Sequence, residues 1–390
     1  MLASKGTRNF GYGYLSVILG LYLDELGFTP IEVGLVLSAT LIGSALLTGV
    51  VTSRADRLGR RRILMVSSAL MALSGIVFAI ARTPWLLVLA ALTGTISPTS
   101  GEVGPFETVE AAILPQASSE KRRNQAFGLY NSVGAAMVAL GALAAGIPAS
   151  FSQFDLLATY RLMFWLYAAL GIATLLAVSR LSSKVELALL PDRASVVTLT
   201  HSRGPILRLA GLFAVDSFAG GFVVQSMISY WFSLRFGVGA EFLGPLFFGV
   251  NVMKSISYLL AVRIADRIGL LNTMVFSHLP SNVFLMMIPL MPTLTSTSVV
   301  LLARHLLSQM DVPTRGSYIV AVVKPEERTA ATGVTTLSRT TAHALGPVIA
   351  GAALSVARFG FPFFVGGGLK IVYDLALYFS FRGLKPPEER

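Results

Sequence analysis

Ionisable side chains stand inside segments that are otherwise apolar, and these are the residues that could do chemistry. Glu102 and Asp216 are the first candidates, and Asp216 has no basic residue at helical spacing within its own segment. A charged group near the centre of a lipid bilayer costs roughly 2.5–3.5 kcal/mol on insertion scales, so each one needs a partner or a purpose. The chemistry that suits these two carboxylates is proton transfer or direct contact with a polar solute.

Basic side chains are also embedded, and they suggest anion binding. Arg339 and His343 are four residues apart and share a helix face, while Lys254 lies well inside another apolar segment. A cation fixed in a low-dielectric cavity is a natural counter-ion for a carboxylate or a phosphate. The same three groups could instead neutralise the embedded carboxylates, and both alternatives remain open. Further polar candidates inside apolar segments are Asn131, Gln225, Gln309, Asp311 and Arg315.

Two embedded pairs have the spacing of one helical turn. Lys370 and Asp374 are four residues apart in the last apolar segment, and we expect them to form a structural pair. Asp311 and Arg315 have the same spacing in the tenth segment, where structural and functional interpretations are equally open.

The fourth apolar segment has an unusual second half, from 97 to 110, with two prolines and two glycines. These residues must loosen a helix and free backbone carbonyls, which a wet cavity tolerates and lipid does not. Glu107 and Glu110 share a face at three-residue spacing. We expect them to meet Arg315 or the loop arginines as a gate. The alternative for Glu102, Glu107 and Glu110 is a static network that ties the halves together.

The amino-acid composition indicates that membrane-spanning helices position these residues. Of 390 residues, 54% are hydrophobic and only 13% are charged, whereas soluble domains carry about 25% charged residues. The chain is therefore expected to be an all-α membrane protein, long enough for about twelve spans of ~20 residues. The net charge of +11 could suggest nucleic acid, but loops on one side of a membrane explain it better.

Apolar runs between turn and charge signals predict twelve spans. They lie near 10–27, 31–52, 61–81, 85–114, 123–148, 159–180, 205–233, 239–262, 271–291, 297–323, 329–356 and 360–381. Most of the 31 Lys and Arg residues fall in alternate loops, which predicts an even number of spans with both termini in the cytoplasm. The first run has no small-residue cleavage site after it, so we interpret it as a retained span. The polar stretch 182–204 is the expected cytoplasmic linker between bundles at 1–181 and 205–390.

An internal repeat supports two related halves. The pentapeptide Ala55-Asp56-Arg57-Leu58-Gly59 returns as Ala265-Asp266-Arg267-Ile268-Gly269, each time between long apolar runs. Pro105 aligns with Pro313 at nearly the same offset, which places Glu107 opposite Arg315. Two correspondences of this kind predict a duplicated six-span unit.

These motifs resemble those of the major facilitator superfamily of secondary transporters. The loop residues 56–62 and 266–269 match the family's Gly-x-x-x-Asp-Arg-x-Gly-Arg-Arg motif, except that Thr52 replaces the opening Gly. The resemblance implies two pseudo-symmetric six-helix bundles, with spans 1, 4, 7 and 10 lining a central cavity. It also implies a latch for the outward-facing state. The latch residues would be Asp56, Arg57, Gly59, Arg60, Asp266, Arg267 and Gly269.

The sequence therefore predicts a secondary transporter in the cytoplasmic membrane that moves a small polar or anionic organic solute, coupled to protons through Glu102 or Asp216. The absence of nucleotide-binding motifs, cysteines and paired histidines argues against a pump, an enzyme, a metal site or a cofactor. We expect a monomer with no nucleic-acid partner. Proton-driven export of amphipathic drugs is the alternative within transport, although the fifth span lacks the Gly-Pro step of drug-exporting relatives. A non-transporting sensor or scaffold with this fold is the alternative from another class.

Overall fold

The computed structural model describes residues 1–101, 104, 106–114, 123–149, 155–181, 202–321, 323, 327–356 and 360–382. Helices account for the regular structure of these residues. The first eight are α1 Leu2–Glu25, α2 Pro30–Leu58, α3 Arg60–Ile80, α4 Pro84–Ala91, α5 Phe106–Ile113, α6 Arg123–Ala144, α7 Gly146–Ala149 and α8 Leu156–Ser179. The others are α9 Arg203–Gly221, α10 Gln225–Phe236, α11 Ala240–Ile268, α12 Leu270–Met287, α13 Leu294–Ser308, α14 Asp311–Ala321, α15 Arg328–His343, α16 Gly346–Ser355 and α17 Phe361–Phe381.

Eight helical stretches in the described residues are long and apolar enough to cross a membrane. They are Pro30–Val51, Arg60–Ile80, Gly128–Pro148, Leu156–Ser179, Arg203–Phe236, Ala240–Ile268, Leu270–Leu290 and Phe361–Phe381. The four remaining predicted spans correspond to α1 and to three interrupted helices, formed by α4 with α5, α13 with α14, and α15 with α16. The all-α membrane fold is thus confirmed.

The chain divides into two compact units. The first unit comprises Met1–Arg193 and Val224–Phe248, and the second comprises Ala194–Val223 and Gly249–Arg390. Most of the predicted linker, at 182–201, is outside the described residues. The boundaries 1–181 and 205–390 stay a prediction.

The break in the fourth span follows the sequence. Helix α4 ends at Ala91 and α5 begins at Phe106, and Ser100, Gly94 and Gly104 between them have positive φ angles of 64°, 64° and 72°. Freed backbone groups find partners in the first unit, because Pro98 O accepts a hydrogen bond from Ser226 N at 3.0 Å. The predicted loosening of this span is confirmed.

Glycines of the fifth span allow helices to approach closely. A Cβ atom on Gly141 would lie 2.1 Å from Phe10 O, so α6 could not pack against α1 with a larger residue there. Gly146 is crowded in the same way by Ala240 O at 2.9 Å, whereas Gly134 meets only the side chains of Lys5 and Asn9 and Gly128 has open space around it. Among these four glycines, Gly141 and Gly146 are therefore the ones that let backbones approach closely.

The glycine of the repeated motif has a positive φ angle in both units. Gly59 joins α2 to α3 with φ 86°, and Gly269 joins α11 to α12 with φ 87°. At Gly269 the ψ angle is 163°, a combination that is essentially restricted to glycine. The repeat is therefore conformational as well as chemical.

We expect Gly269→Ala to lower the free energy of unfolding by about 1–3 kcal/mol, because alanine must adopt a backbone conformation that its Cβ opposes. Thermal unfolding of the detergent-solubilised protein measures the loss. Gly333→Ala is the matched control, since Gly333 is helical with open space for a Cβ and alanine favours a helix. Equal melting temperatures for the two variants would contradict the prediction.

Candidate functional site

A buried charge network in the second unit centres on Asp216 of α9. Arg315 Nη1 lies 3.3 Å from Asp216 Oδ2, and Lys370 Nζ lies 2.5 Å from Asp216 Oδ1. Arg315 also binds Asp311, with 2.5 Å between Nη2 and Oδ2. All four side chains are buried. Two carboxylates and two cations thus balance each other in a low-dielectric setting.

Three helices supply this network, and the sequence explains part of it. Asp311 and Arg315 stand one turn apart on α14 and pair as their spacing allows. Asp216 comes from α9 and Lys370 from α17, which pack against each other. Phe213, one turn before Asp216, places its ring 5.5 Å from the Arg315 guanidinium carbon. The network therefore ties α9, α14 and α17 together electrostatically.

The predicted pair of Lys370 with Asp374 is wrong. Lys370 bonds to Asp216, and Asp374 instead accepts hydrogen bonds from His278 Nδ1 and Asn282 Nδ2, each at 2.8 Å. His278 and Asn282 are one turn apart on α12, a spacing that could have suggested a shared partner. Local spacing identifies neighbours on one helix, and here the nearer partners come from other helices.

Arg339 and His343 of α15 share a face, as predicted, and both reach Ser217. Arg339 Nε donates to Ser217 Oγ at 3.2 Å, and His343 Nδ1 donates to Ser217 O at 2.9 Å. Ser217 directly follows Asp216 in the chain, so both side chains bond to the neighbour of Asp216 and not to Asp216 itself. Arg339 remains a cation at the edge of the network.

Lys254 and Gln309 lie at a second place in the same unit. Lys254 of α11 is partly exposed. Gln309, between α13 and α14, accepts a hydrogen bond from Tyr258 Oη at 3.2 Å. Tyr258 is one turn beyond Lys254 on α11, so this bond links α11 to the end of α13.

A separate ion pair is buried in the first unit, between Arg8 of α1 and Glu110 of α5. Arg8 Nη1 and Nη2 lie 3.0 and 2.7 Å from the two Glu110 oxygens, and the side chains are 0% and 1% exposed. Tyr130 Oη also donates to Glu110, and the Phe106 ring lies 4.1 Å from the Arg8 guanidinium. Glu110 thus meets Arg8, an arginine that the sequence places in the loop before the first predicted span. Its role as a gate stays a prediction.

Arg8 escaped sequence analysis because the first span was placed from residue 10 onward. Helix α1 begins at Leu2 and carries Arg8 as a buried residue. The interval from Arg8 to Asp216 equals that from Pro105 to Pro313. Spans one and four of the first unit therefore hold an ion pair, as do spans seven and ten of the second, with the signs exchanged between the spans.

The other predicted residues have different placements. Gln225 is buried in the first unit, where its Nε2 donates to Ser16 Oγ at 2.8 Å. Asn131, Glu107, Asp266 and Arg267 are exposed, and Arg60 is buried at the start of α3. Glu102 and the side chains of Asp56 and Arg57 are outside the described residues. Within the described part of the chain, His, Asp and Glu side chains form no group of three that could hold a metal.

Interrupted helices and buried ion pairs in a multi-pass helical membrane chain are typical of secondary transporters. The sequence profile of the Major Facilitator Superfamily matches residues 6–308, and the chain belongs to this superfamily. The resemblance noted from the loop motifs is therefore confirmed.

Three relatives illustrate the match. Uncharacterized membrane protein YJR124C of Saccharomyces cerevisiae is 29% identical, covering 98% of this chain and 93% of that protein. Quinolone resistance protein NorA of Staphylococcus aureus is 26% identical over 42% of this chain and 39% of its own length. The crystal structure of D-xylose-proton symporter has a TM-score of 0.75 at 14% identity, covering 97% of this chain and 96% of that one. At such low identity the structural likeness concerns the fold alone.

Proposed function

We propose that this transporter moves a small polar or anionic organic solute across the cytoplasmic membrane by alternating access, coupled to protons. The observation that carries the proposal is the buried Asp216 carboxylate, which is shared by cations from two other helices. Both termini would be cytoplasmic, as the distribution of basic residues predicts.

The network offers a way to couple proton binding to helix movement. While Asp216 is ionised, it holds Arg315 of α14 and Lys370 of α17 against α9. A proton on Asp216 removes the charge that attracts both cations, so both contacts weaken together. The helices could then have one arrangement with Asp216 ionised and another with Asp216 protonated. Coupling of transport to protons requires two such states.

Two further elements belong to this proposal. Glu102 remains a candidate proton carrier, because it is a carboxylate within the fourth predicted span. The repeated loop motif remains a candidate latch, and its glycines Gly59 and Gly269 both have a positive φ angle.

Export of amphipathic drugs is the second candidate, and the partial similarity to the quinolone resistance protein favours it. The embedded basic residues of the second unit favour an anionic solute instead. Arg304, Arg339 and Lys254 make no salt bridge with a carboxylate in the described part of the chain. A cationic drug would be repelled by such groups.

Uptake by proteoliposomes tests the proposal. We expect an inward proton gradient to accelerate uptake of labelled succinate or inorganic phosphate several-fold, and a protonophore to remove the acceleration. D-xylose is the neutral control, and ethidium tests cationic export. If Glu102→Gln and Asp216→Asn both retain gradient-driven uptake, the proton-carrier assignment is wrong.

A further inference from the structure

A cationic cluster in the second unit is separate in its contacts from the Asp216 network. It consists of Lys254 of α11 with Arg304 and His305 of α13. Arg304 and His305 are 7% and 6% exposed. Helices α11 and α13 approach each other before and after these residues. An added Cβ on Gly249 of α11 would lie 3.2 Å from Leu302 Cδ2 of α13, and Tyr258 Oη bonds to Gln309. Three basic groups from two helices are thus concentrated in one place.

Hydrogen bonds define the protonation of His305. Its Nδ1 lies 2.8 Å from Leu301 O, and a carbonyl oxygen can only accept, so Nδ1 carries a proton. Its Nε2 lies 3.2 Å from Arg304 Nη1, which can only donate. Nε2 must therefore present a lone pair, and the imidazole is neutral. The cluster carries two positive charges, on Lys254 and Arg304.

Neither charge has an anionic partner among the described residues. Arg304 Nε is buried without a hydrogen-bond partner. Asp216 and Asp311 act on Arg304 only at a distance, because their carboxylates bond to Arg315 and Lys370.

Three other buried cations in the described residues have carboxylate partners. Arg8 binds Glu110, Arg315 binds Asp216 and Asp311, and Lys370 binds Asp216. An unpaired buried cation costs several kcal/mol. A cluster that keeps such a charge on Arg304 beside a second, partly exposed cation is therefore suited to a counter-charge that comes from outside the chain.

We propose that Lys254 and Arg304 bind a small oxygen dianion, which is either a phosphate group or a pair of carboxylates on one solute. Arg304 donates Nη1 to His305, which leaves the Nε and Nη2 edge for two parallel hydrogen bonds to an oxyanion. Lys254 adds a second charge and is partly exposed, so a solute can reach it. His305 positions the guanidinium.

Gln309 and Tyr258 limit the space beside this site. Their hydrogen bond joins α11 to the end of α13 one turn beyond Lys254 and Arg304. A solute held at the cluster would therefore lie next to a link between two spans. That this solute is the transported one rests on the proposed function, whereas binding itself does not.

Ligand-dependent unfolding of the purified, detergent-solubilised protein tests the site. The probes are inorganic phosphate and succinate, each compared with chloride at equal ionic strength, because salts also stabilise proteins non-specifically. We expect at least one dianion to raise the melting temperature saturably, as a ligand that binds the folded state must. Saturation by phosphate alone would identify a phosphate group, and by succinate alone a pair of carboxylates.

Arg304→Gln should raise the half-saturating dianion concentration at least tenfold, and Lys254→Gln should do likewise, because each removes a charge-assisted contact. Lys254→Arg should retain binding. Arg263→Gln is the matched control, since Arg263 is an exposed cation on the same helix α11. The proposal would be overturned if the dianions raised the melting temperature no more than chloride does, or if they raised it equally in Arg304→Gln and in the wild type. Proton-driven uptake is measured separately, so it can fail while binding persists.

Discussion

Asp216→Asn is expected to abolish gradient-driven uptake and to lower the free energy of unfolding by about 3–5 kcal/mol, because it breaks a buried ion pair from one side. Arg315 keeps Asp311 as a partner, but Lys370 loses its carboxylate and stays buried. The free-energy loss should therefore come mainly from Lys370. Thermal or denaturant unfolding and proteoliposome uptake of succinate or phosphate measure the two effects.

A double variant separates stability from transport. Adding Lys370→Met to Asp216→Asn removes the uncompensated charge and should recover most of the lost stability, since apolar replacements of buried pairs are often neutral or better. Uptake should stay absent, because the titratable carboxylate is still missing. Arg263→Gln again controls for loss of one cation. A single variant with wild-type stability would show that Asp216 and Lys370 are not paired in the folded protein.

The membrane-spanning helices could be predicted from sequence because their signals are strong and local. Apolar length, basic loops and the repeated Asp-Arg-x-Gly motif can each be recognised in a short stretch of sequence. The interruption of the fourth span could also be predicted, since Pro98 and the neighbouring glycines act on their own backbone. Features of this kind can be predicted without knowing which helices pack together.

The candidate site could be predicted only in part, because its pairs form between helices. Spacing correctly suggested that Asp311 pairs with Arg315 on one helix. It also suggested Lys370 with Asp374, but their partners are Asp216, His278 and Asn282 on other helices. Four-residue spacing permits a contact worth a few tenths of a kcal/mol, which a closer buried partner readily outweighs.

Arg8 was missed for a different reason. Its position near the chain start made it a loop residue that sets orientation, whereas α1 begins before it and buries it against α5. The signal that could have found it is the repeat itself. Asp216 lies at the equivalent position of the second half, so an embedded charge there indicates an embedded charge at Arg8.

Glu110→Gln is expected to lower the free energy of unfolding by about 3–5 kcal/mol, because Arg8 would remain buried beside Phe106 without its carboxylate. Tyr130 would also lose a charged acceptor. Glu107→Gln is the matched control, since Glu107 is exposed on the same helix and one turn away. Unfolding of the two variants in the same detergent measures the difference.

The double variant Arg8→Met with Glu110→Leu decides what the pair is for. Its stability should return to within about 1 kcal/mol of wild type, because neither charge is left alone. If the pair only fixes α1 against α5, uptake should return as well. If uptake stays lost in a stable protein, the pair must break and re-form during transport, which would restore to Glu110 a gating role with Arg8 as its partner. A double variant as unstable as Glu110→Gln would contradict the charge-balance argument for both units.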